Sequence, residues 1–472
     1  MIKRLLLLCL VWLTLMPCVR SEGFMPLPPP YELQPVQWLD HDAEYTLIRH
    51  KAPLIADPLM LAVSGGESEE LASSTDTVRT TITGEALLEQ GFHVLSVSPD
   101  GQRILASEGD RLYLLTGSTL RTVALNLSRC AANKRNGLQP SIRYASSEPA
   151  RLVGSEGFRW SPDGKYICLL NAQSAKGLRS IPLMLIDTDK AEMYSIKAYE
   201  KGSPLEMGTA MQGLFSPDSR YLYYTEYRSC SARLCRYDLT GETHELLADT
   251  HQMIMAYPTL GMDENGDLLS VMDDWDNALL TFREGASGWA FTQQALPSMN
   301  VAYFTASGQG AMMELVPRGS EPTSNIQLVR FNGRMWRITA KRKDNNIRFL
   351  LSAPDEITEE ALSKKQEGDT EDEQALAIRH IAMSPDGSRY LLVTEALDEE
   401  KSLHLILLGA QRDGPLVEVL LPEGVELFWS LLQRNTSWYP SGIAFLTEDL
   451  LLMPADTNVT QLYRLVPGSR FK

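Results

Sequence analysis

The chain is short of what most catalytic scaffolds require. It contains no Gly-x-Ser-x-Gly elbow, the strained turn that exposes a hydrolase serine, and strand-like sequence running to about Leu465 leaves no room for such a domain. Its seven histidines, His41, His50, His93, His244, His251, His380 and His404, are scattered along the chain. Six cysteines in 472 residues include no second close pair, which disfavours a tetrahedral zinc site. Positive charge is also short: 44 Lys and Arg stand against 60 Asp and Glu, and the net charge of −16 would repel a phosphate backbone. Nucleic acid is therefore not an expected partner, and nothing calls for a cofactor. Long helical patterns between the strand-like segments are missing too, so a doubly wound α/β sheet does not fit.

What is present is a globular composition, with 44% hydrophobic and 22% charged residues, enough to bury a sizeable core. Lys3 and Arg4 precede an apolar run from Leu5 to Met16, then Pro17 and Ser21, the order of a secretory signal over residues 1–21. The run is shorter than the roughly 20 residues that cross a bilayer. No later stretch is longer, so the expected location is secreted, periplasmic or cell-envelope, with no transmembrane segment after signal removal. Cys18 lacks the small preceding residues of a lipoprotein signal. Of the remaining Cys130, Cys168, Cys230 and Cys235, the pair Cys230 and Cys235 flanks "SARL" and is the expected disulfide, free space-filling thiols being the alternative.

Repetition decides the architecture. Ser-Pro-Asp turns begin at Ser98, Ser161, Ser216 and Ser384, at spacings of 63, 55 and 168 residues, the last three times 56. Degenerate copies fill the gap around Asn265–Gly266 and Ser307–Gly308, and two more, from Gln37 and from Gly442, stand at the ends. After each turn come short apolar or alternating runs rich in Tyr, Leu, Ile and Val, which read as strands. Four strands in roughly 40 to 60 residues is the period of a propeller blade.

The turn composition has a local cause. Pro99, Pro162, Pro217 and Pro385 preset φ; Asp100, Asp163, Asp218 and Asp386 can bond nearby backbone; Gly101, Gly164 and Gly387 accept positive φ. Each copy is thus a hairpin device, with Trp160 expected between adjacent blades. The "WSPDGKYI" form resembles the TolB-type propeller repeat, a WD-like repeat of bacterial envelope proteins and of the propeller domains of prolyl-oligopeptidase-class enzymes. The resemblance covers most of residues 37–472 and implies an all-β fold, a propeller of four-stranded antiparallel blades. It says almost nothing about function.

Counting copies favours eight blades, with seven the alternative. The last unit lacks a fourth strand, and the proline-rich segment 22–36 is either a lead-in or the ring-closing strand. Loop insertions at about 126–157 and 353–377, the first basic and the second acidic, are where a partner would be read. His93 and His380 lie just before Ser-Pro-Asp turns and are the channel-facing candidates. The acid-rich Asp263–Asp276 stretch lacks a full calcium loop and reads as two hairpin turns. The function expected is a monomeric, non-catalytic module that binds or scaffolds another protein or envelope component. The alternative is a propeller lyase or hydrolase acting on a carbohydrate in the central channel.

Overall fold

The computed structural model describes residues 31–50, 77–108, 111–126, 158–169, 184–196, 210–228, 231–249, 260–263, 265–272, 278–295, 299–308, 310–317, 326–331, 334–343, 346–352, 374–395, 403–409, 417–421, 443–456 and 459–468. They form an all-β ring of seven blades. Strand β1 (Tyr31–Val36) is followed by β2 (Glu44–His50), β3 (Thr77–Thr83) and one short helix, α1 (Gly84–Glu89). Blade 1 is β4 (Phe92–Val97), β5 (Arg103–Glu108), β6 (Arg111–Thr116) and β7 (Thr119–Thr122). A two-residue β8 (Ala124–Leu125) leads to blade 2, made of β9 (Phe158–Trp160), β10 (Tyr166–Leu169), β11 (Met184–Asp187) and β12 (Glu192–Ser195). Blade 3 is β13 (Ala210–Phe215), β14 (Tyr221–Arg228), β15 (Ser231–Asp238) and β16 (Thr243–Asp249). Blade 4 is β17 (Gly261–Met262), β18 (Leu268–Met272), β19 (Ala278–Gly285) and β20 (Gly288–Ala295).

Blade 5 is β21 (Met299–Ser307), β22 (Gly310–Pro317), β23 (Ile326–Phe331) and β24 (Arg334–Lys343), with an extra strand β25 (Asn346–Ser352) paired to β24 alone. Blade 6 is β26 (Gln374–Met383), β27 (Tyr390–Glu395), β28 (Leu403–Leu408) and β29 (Val417–Leu420). Blade 7 is β30 (Ala444–Phe445), β31 (Leu450–Asp456) and β32 (Val459–Pro467), and its fourth strand is β1, antiparallel to β32 from Tyr31↔Pro467 to Val36↔Leu462. The N-terminal strand thus fills an edge that the C-terminal segment leaves unpaired, as an open sheet edge invites.

Seven blades form rather than the favoured eight, and the difference lies in one segment. The stretch from Gln37 carries the apolar alternation of a blade, but its strand β2 lies parallel to β7 on the outer edge of blade 1. With β3 paired to it, β2 widens that blade to six strands instead of starting another.

Apolar packing joins most neighbouring blades. Leu105, Leu112, Ile167, Met184, Phe215 and Leu222 belong to one cluster across blades 1 to 3, and Tyr223, Leu234, Leu260, Leu268 and Leu280 join blades 3 and 4. Met312, Val329, Tyr390 and Leu392 join blades 5 and 6, and Leu391, Leu405, Phe445 and Leu451 join blades 6 and 7. Val94 and Val97 meet Leu446, Leu450, Leu452 and Leu462, closing blade 7 onto blade 1. At roughly 1.5 to 3 kcal/mol per buried large side chain, these seams are the main source of stability. Among the described residues no helix is long and apolar enough to cross a membrane.

Candidate functional site

The four Ser-Pro-Asp turns are built alike. In each, the serine hydroxyl donates to the aspartate Oδ1: Ser98 to Asp100 at 2.5 Å, Ser161 to Asp163 at 2.6 Å, Ser216 to Asp218 at 2.5 Å and Ser384 to Asp386 at 2.6 Å. The same hydroxyl accepts the amide five residues on, from Arg103, Tyr166, Tyr221 and Arg389, at 2.9–3.0 Å. The aspartate accepts the amide two residues on, from Gln102, Lys165, Arg220 and Ser388. All four serines are buried, so their hydroxyls would be costly to leave unpaired.

These bonds tune the carboxylates. The Ser98 and Ser216 hydroxyls hold Asp100 and Asp218 below their ordinary value. Burial works against Asp163 and Asp386, but their serines and turn amides still pull both down. A carboxylate stabilised as the anion by its own turn is poorly suited to accept a substrate proton.

The turns also touch one another around one face of the ring. Arg103 Nη1 donates to Gly164 O at 3.0 Å and to Thr188 Oγ1, and Nη2 to Asp189 at 2.9 Å, fastening blade 1 to blade 2. The Asp163 amide donates to Ser219 Oγ at 3.0 Å, blade 2 to blade 3. Arg330 lies 3.6 Å from Asp263 Oδ2, blade 5 to blade 4. Ser307 Oγ donates to Pro385 O, blade 5 to blade 6, and Arg389 Nη1 donates to Glu448 O at 2.8 Å, blade 6 to blade 7. Trp160, half-buried, reaches back to donate its Nε1 hydrogen to Ser96 Oγ at 2.7 Å in blade 1.

The degenerate copies solve the same problem with other groups. In blade 4 one side chain takes both roles: Asp263 Oδ1 accepts the amides of Asn265 and Asp267 at 2.9 and 3.0 Å. Asp267 is in turn bound by the Arg283 guanidinium, which holds its carboxyl below the usual range. In blade 7 Thr447 Oγ1 donates to Asp449 at 3.0 Å and accepts the Leu450 amide. Among the described residues no group of three or more His, Cys, Asp or Glu is placed to hold a metal ion.

His93 and His380 occupy matching rungs. His93 pairs with Ser107 and His380 with Val393, each partner nine residues beyond its turn serine. They stand on blades 1 and 6, with blade 7 between. His93 is half-buried, and burial lowers its imidazole below the ordinary value; the Ser107 hydroxyl opposite is buried with no hydrogen-bond partner. His244 has a structural task instead. Its Nε2 donates to Ile196 O at 2.6 Å, tying blade 3 to blade 2, so Nδ1 accepts from Tyr224 OH at 2.8 Å. Cys235 is buried in β15 opposite Tyr224. Cys230, most of the 126–157 insertion and residues 353–373 lie outside the described residues.

One polar group escaped the sequence reading. Arg49 Nη2 grips both oxygens of Glu108 at 2.7 and 2.8 Å, and Tyr113 OH donates to Glu108 Oε2 at 2.8 Å while accepting from Arg49 Nε. Burial, then the Glu108 carboxylate, raises the Tyr113 phenol. Its members come from β2, β5 and β6, so only the unforeseen docking of β2 brings them together.

The sequence matches no protein-family model and no curated protein. Similar solved structures include an oligogalacturonate lyase in complex with manganese, at 13% identity and a TM-score of 0.42 over 80% of this chain and 90% of that one. The β-propeller domain of the Trilobed protease from Pyrococcus furiosus has 11% identity and a TM-score of 0.42, over 79% and 93%. TolB from Acinetobacter baumannii has 13% identity and a TM-score of 0.32, over 70% and 65%.

Proposed function

We propose that this chain is a secreted or cell-envelope β-propeller that works as a non-catalytic binding or scaffolding module for another protein or envelope component. The observation that supports the reading most is the use made of the repeated polar residues. The four serine–aspartate pairs, with Asp263 in the fifth, are satisfied by their own turns, and several of these turns fasten neighbouring blades. Polar atoms spent this way make a rigid ring and leave recognition to what differs between blades. The leader from Lys3 to Met16 supports an extracytoplasmic setting.

Affinity capture of the mature protein from its native envelope, read by mass spectrometry, tests the proposal. A reproducible stoichiometric partner is the expected result. Recovery of nothing above background, together with turnover of a carbohydrate that is lost in His93→Ala, would replace it with the enzymatic reading.

A further inference from the structure

Strand β3 stands at the outer end of the sheet of blade 1 and adds little to its core. It reads TVRTTIT and pairs with β2 without interruption, from Glu44↔Thr83 to His50↔Thr77. Among the described residues β2 is its only strand partner. Ile82 packs against the cluster that holds Tyr45, Leu47 and Leu87. The rest of the strand, residues 77–81 and 83, is exposed, and alternation puts these residues on both faces. Val78 is 44% exposed, one of two large apolar side chains so placed among the described residues. Every residue but Arg79 is β-branched, a composition suited to pairing in a sheet. The usual protections of an edge strand are a lysine, a proline, a bulge or an inward charge, and β3 has no Lys, Pro, Asp or Glu and an unbroken register.

The strand is complementary to itself. A two-fold axis through an antiparallel pair sets one residue against its own copy, and the residues on either side meet in mirrored order. With Thr80 on the axis the whole strand pairs: Val78 meets the partner's Ile82, Arg79 the partner's Thr81 and Thr77 the partner's Thr83. An axis at Arg79 would set two guanidiniums against each other, which destabilises a strand pair. An axis at Thr81 would leave Thr77 and Val78 unpaired. We infer that β3 is a dimerisation edge, to which a second copy of this chain adds as an antiparallel strand with Thr80 on the two-fold axis. Backbone hydrogen bonds supply affinity in such an addition. The pairing lays the partner's Ile82 beside the exposed Val78 and continues the face of Tyr45 and Leu47 across both molecules. With Arg79 its only charge, β3 offers little to select a foreign segment. Against its own copy it sets β-branched side chains together on every rung except the two that hold Arg79. Two repulsions oppose the pair: the two Arg79 are diagonal neighbours about 7–8 Å apart, and each chain has a net charge of −16. Salt screens both. One strand pair is small beside the roughly 1,200–2,000 Å² of a standard interface, so the dimer is reversible. The inference goes beyond the binding-module reading and sets a reversible dimer against the monomer expected from the sequence.

Sedimentation velocity of the full-length protein over a concentration series tests the dimer, and cysteine cross-linking tests its register. A monomer–dimer equilibrium is expected that tightens as salt is raised. Thr80→Lys sets two ammonium groups against each other on the axis and should weaken the dimer at least about tenfold. Thr80→Cys should give a disulfide-linked dimer on mild oxidation, since opposed Cα atoms lie about 4.5–5.5 Å apart, within disulfide range. Thr77→Cys should not, because in this register its own copy lies about 20 Å away. Peptide mapping separates a disulfide between the introduced cysteines from one that involves native thiols. A protein that stays monomeric at every concentration and gives no Thr80→Cys cross-link overturns the inference. So does a dimer indifferent to a folded Thr80→Lys, or cross-linking at position 77 as fast as at 80. If Thr80→Lys does not fold, the two cysteine variants decide. A different protein cross-linked from position 80, with this chain monomeric, assigns the edge to that partner and overturns the dimer. A monomer that still captures an envelope partner removes this inference alone and leaves the binding-module reading standing.

Discussion

Blades 1 to 4 are four separate sheets, whereas blades 5, 6 and 7 run into one continuous sheet of thirteen strands through β24–β26 and β29–β1. The first three blades have the full Ser-Pro-Asp turn, and of the last three only blade 6 does. Neighbouring blades are thus fastened in two ways. A turn that satisfies its own polar groups makes each hairpin a closed unit, and its contacts to the next blade are side-chain bonds such as Arg103 to Gly164 O. Between blades 5 and 6 the main chains themselves meet: the glycines of the two turns lie against each other's backbone, beside the bond from Ser307 Oγ to Pro385 O.

The largest effect should come from substituting one turn position in both settings. Gly101 and Gly387 share a φ of 71°. A Cβ on Gly101 meets nothing within 4 Å, while one on Gly387 collides with Ser307 O and the Gly310 backbone. Gly101→Ala should lose about 1–2 kcal/mol, the cost of a left-handed backbone. Gly387→Ala adds an overpacking cost and should lose roughly 2–5 kcal/mol in chemical denaturation. Equal losses would show that the blade 5–6 seam yields without cost, and the contrast between the two halves would fall.

A second effect separates one-residue turns from two-residue turns. Asp263 in blade 4 accepts two amides and faces Arg330, work that blades 1, 2, 3 and 6 divide between a serine and an aspartate. Asp263→Ala should lose about 2–3 kcal/mol, by leaving two amides unpaired, and Asp263→Asn, which keeps an acceptor oxygen, about 1 kcal/mol or less. Similar losses for both would mean that charge, rather than acceptance, is what the turn needs.

A third compares the same turn with and without its serine. The Ser98 hydroxyl is the largest cause of the lowered Asp100 pKa. Ser98→Ala should lose about 1–2 kcal/mol and move the Asp100 titration upward, seen by NMR of its carboxyl carbon. A carboxylate lowered in the folded state adds stability above its ordinary value of 3.8, and that stability is lost as pH falls through the lowered value. Acid unfolding of the variant should therefore show less of this component. An Asp100 titration unchanged by the substitution would remove the serine from the account.

How far the sequence was legible follows from the range of each interaction. The turns at Ser98, Ser161, Ser216 and Ser384 could be read because every bond that builds them spans five residues or fewer. The strands after them could be read for the same local reason: the run from Tyr221 forms β14 and the run from Arg233 forms β15. The count failed at Gln37 because whether β2 starts a blade or joins one depends on Thr46–Ile48 meeting Thr119–Arg121, a pairing that no local pattern announces. The group of Arg49, Glu108 and Tyr113 was missed with it, since the contacts of Arg49 to the other two span 59 and 64 residues.

The smallest effect concerns Ser219, where the repeat departs from glycine. Blade 3 writes Ser-Pro-Asp-Ser, and Ser219 holds a φ of 58°, a conformation that costs a side-chain-bearing residue about 1–2 kcal/mol. What it receives in return is the Asp163 amide, donated from the neighbouring turn at 3.0 Å. A hydrogen bond of this kind contributes about 0.5–1.5 kcal/mol, so the two terms nearly cancel. Ser219→Gly should therefore leave the melting temperature within a few degrees of wild type, while Ser219→Ala, which keeps the strain and loses the acceptor, should lower it. If glycine stabilises by the whole of the strain while alanine changes nothing, the bond between blades 2 and 3 contributes little and backbone conformation alone governs the fourth turn position. If glycine destabilises as much as alanine does, the blade-to-blade bond outweighs the strain, and the substitution in this copy is itself a fastening between blades.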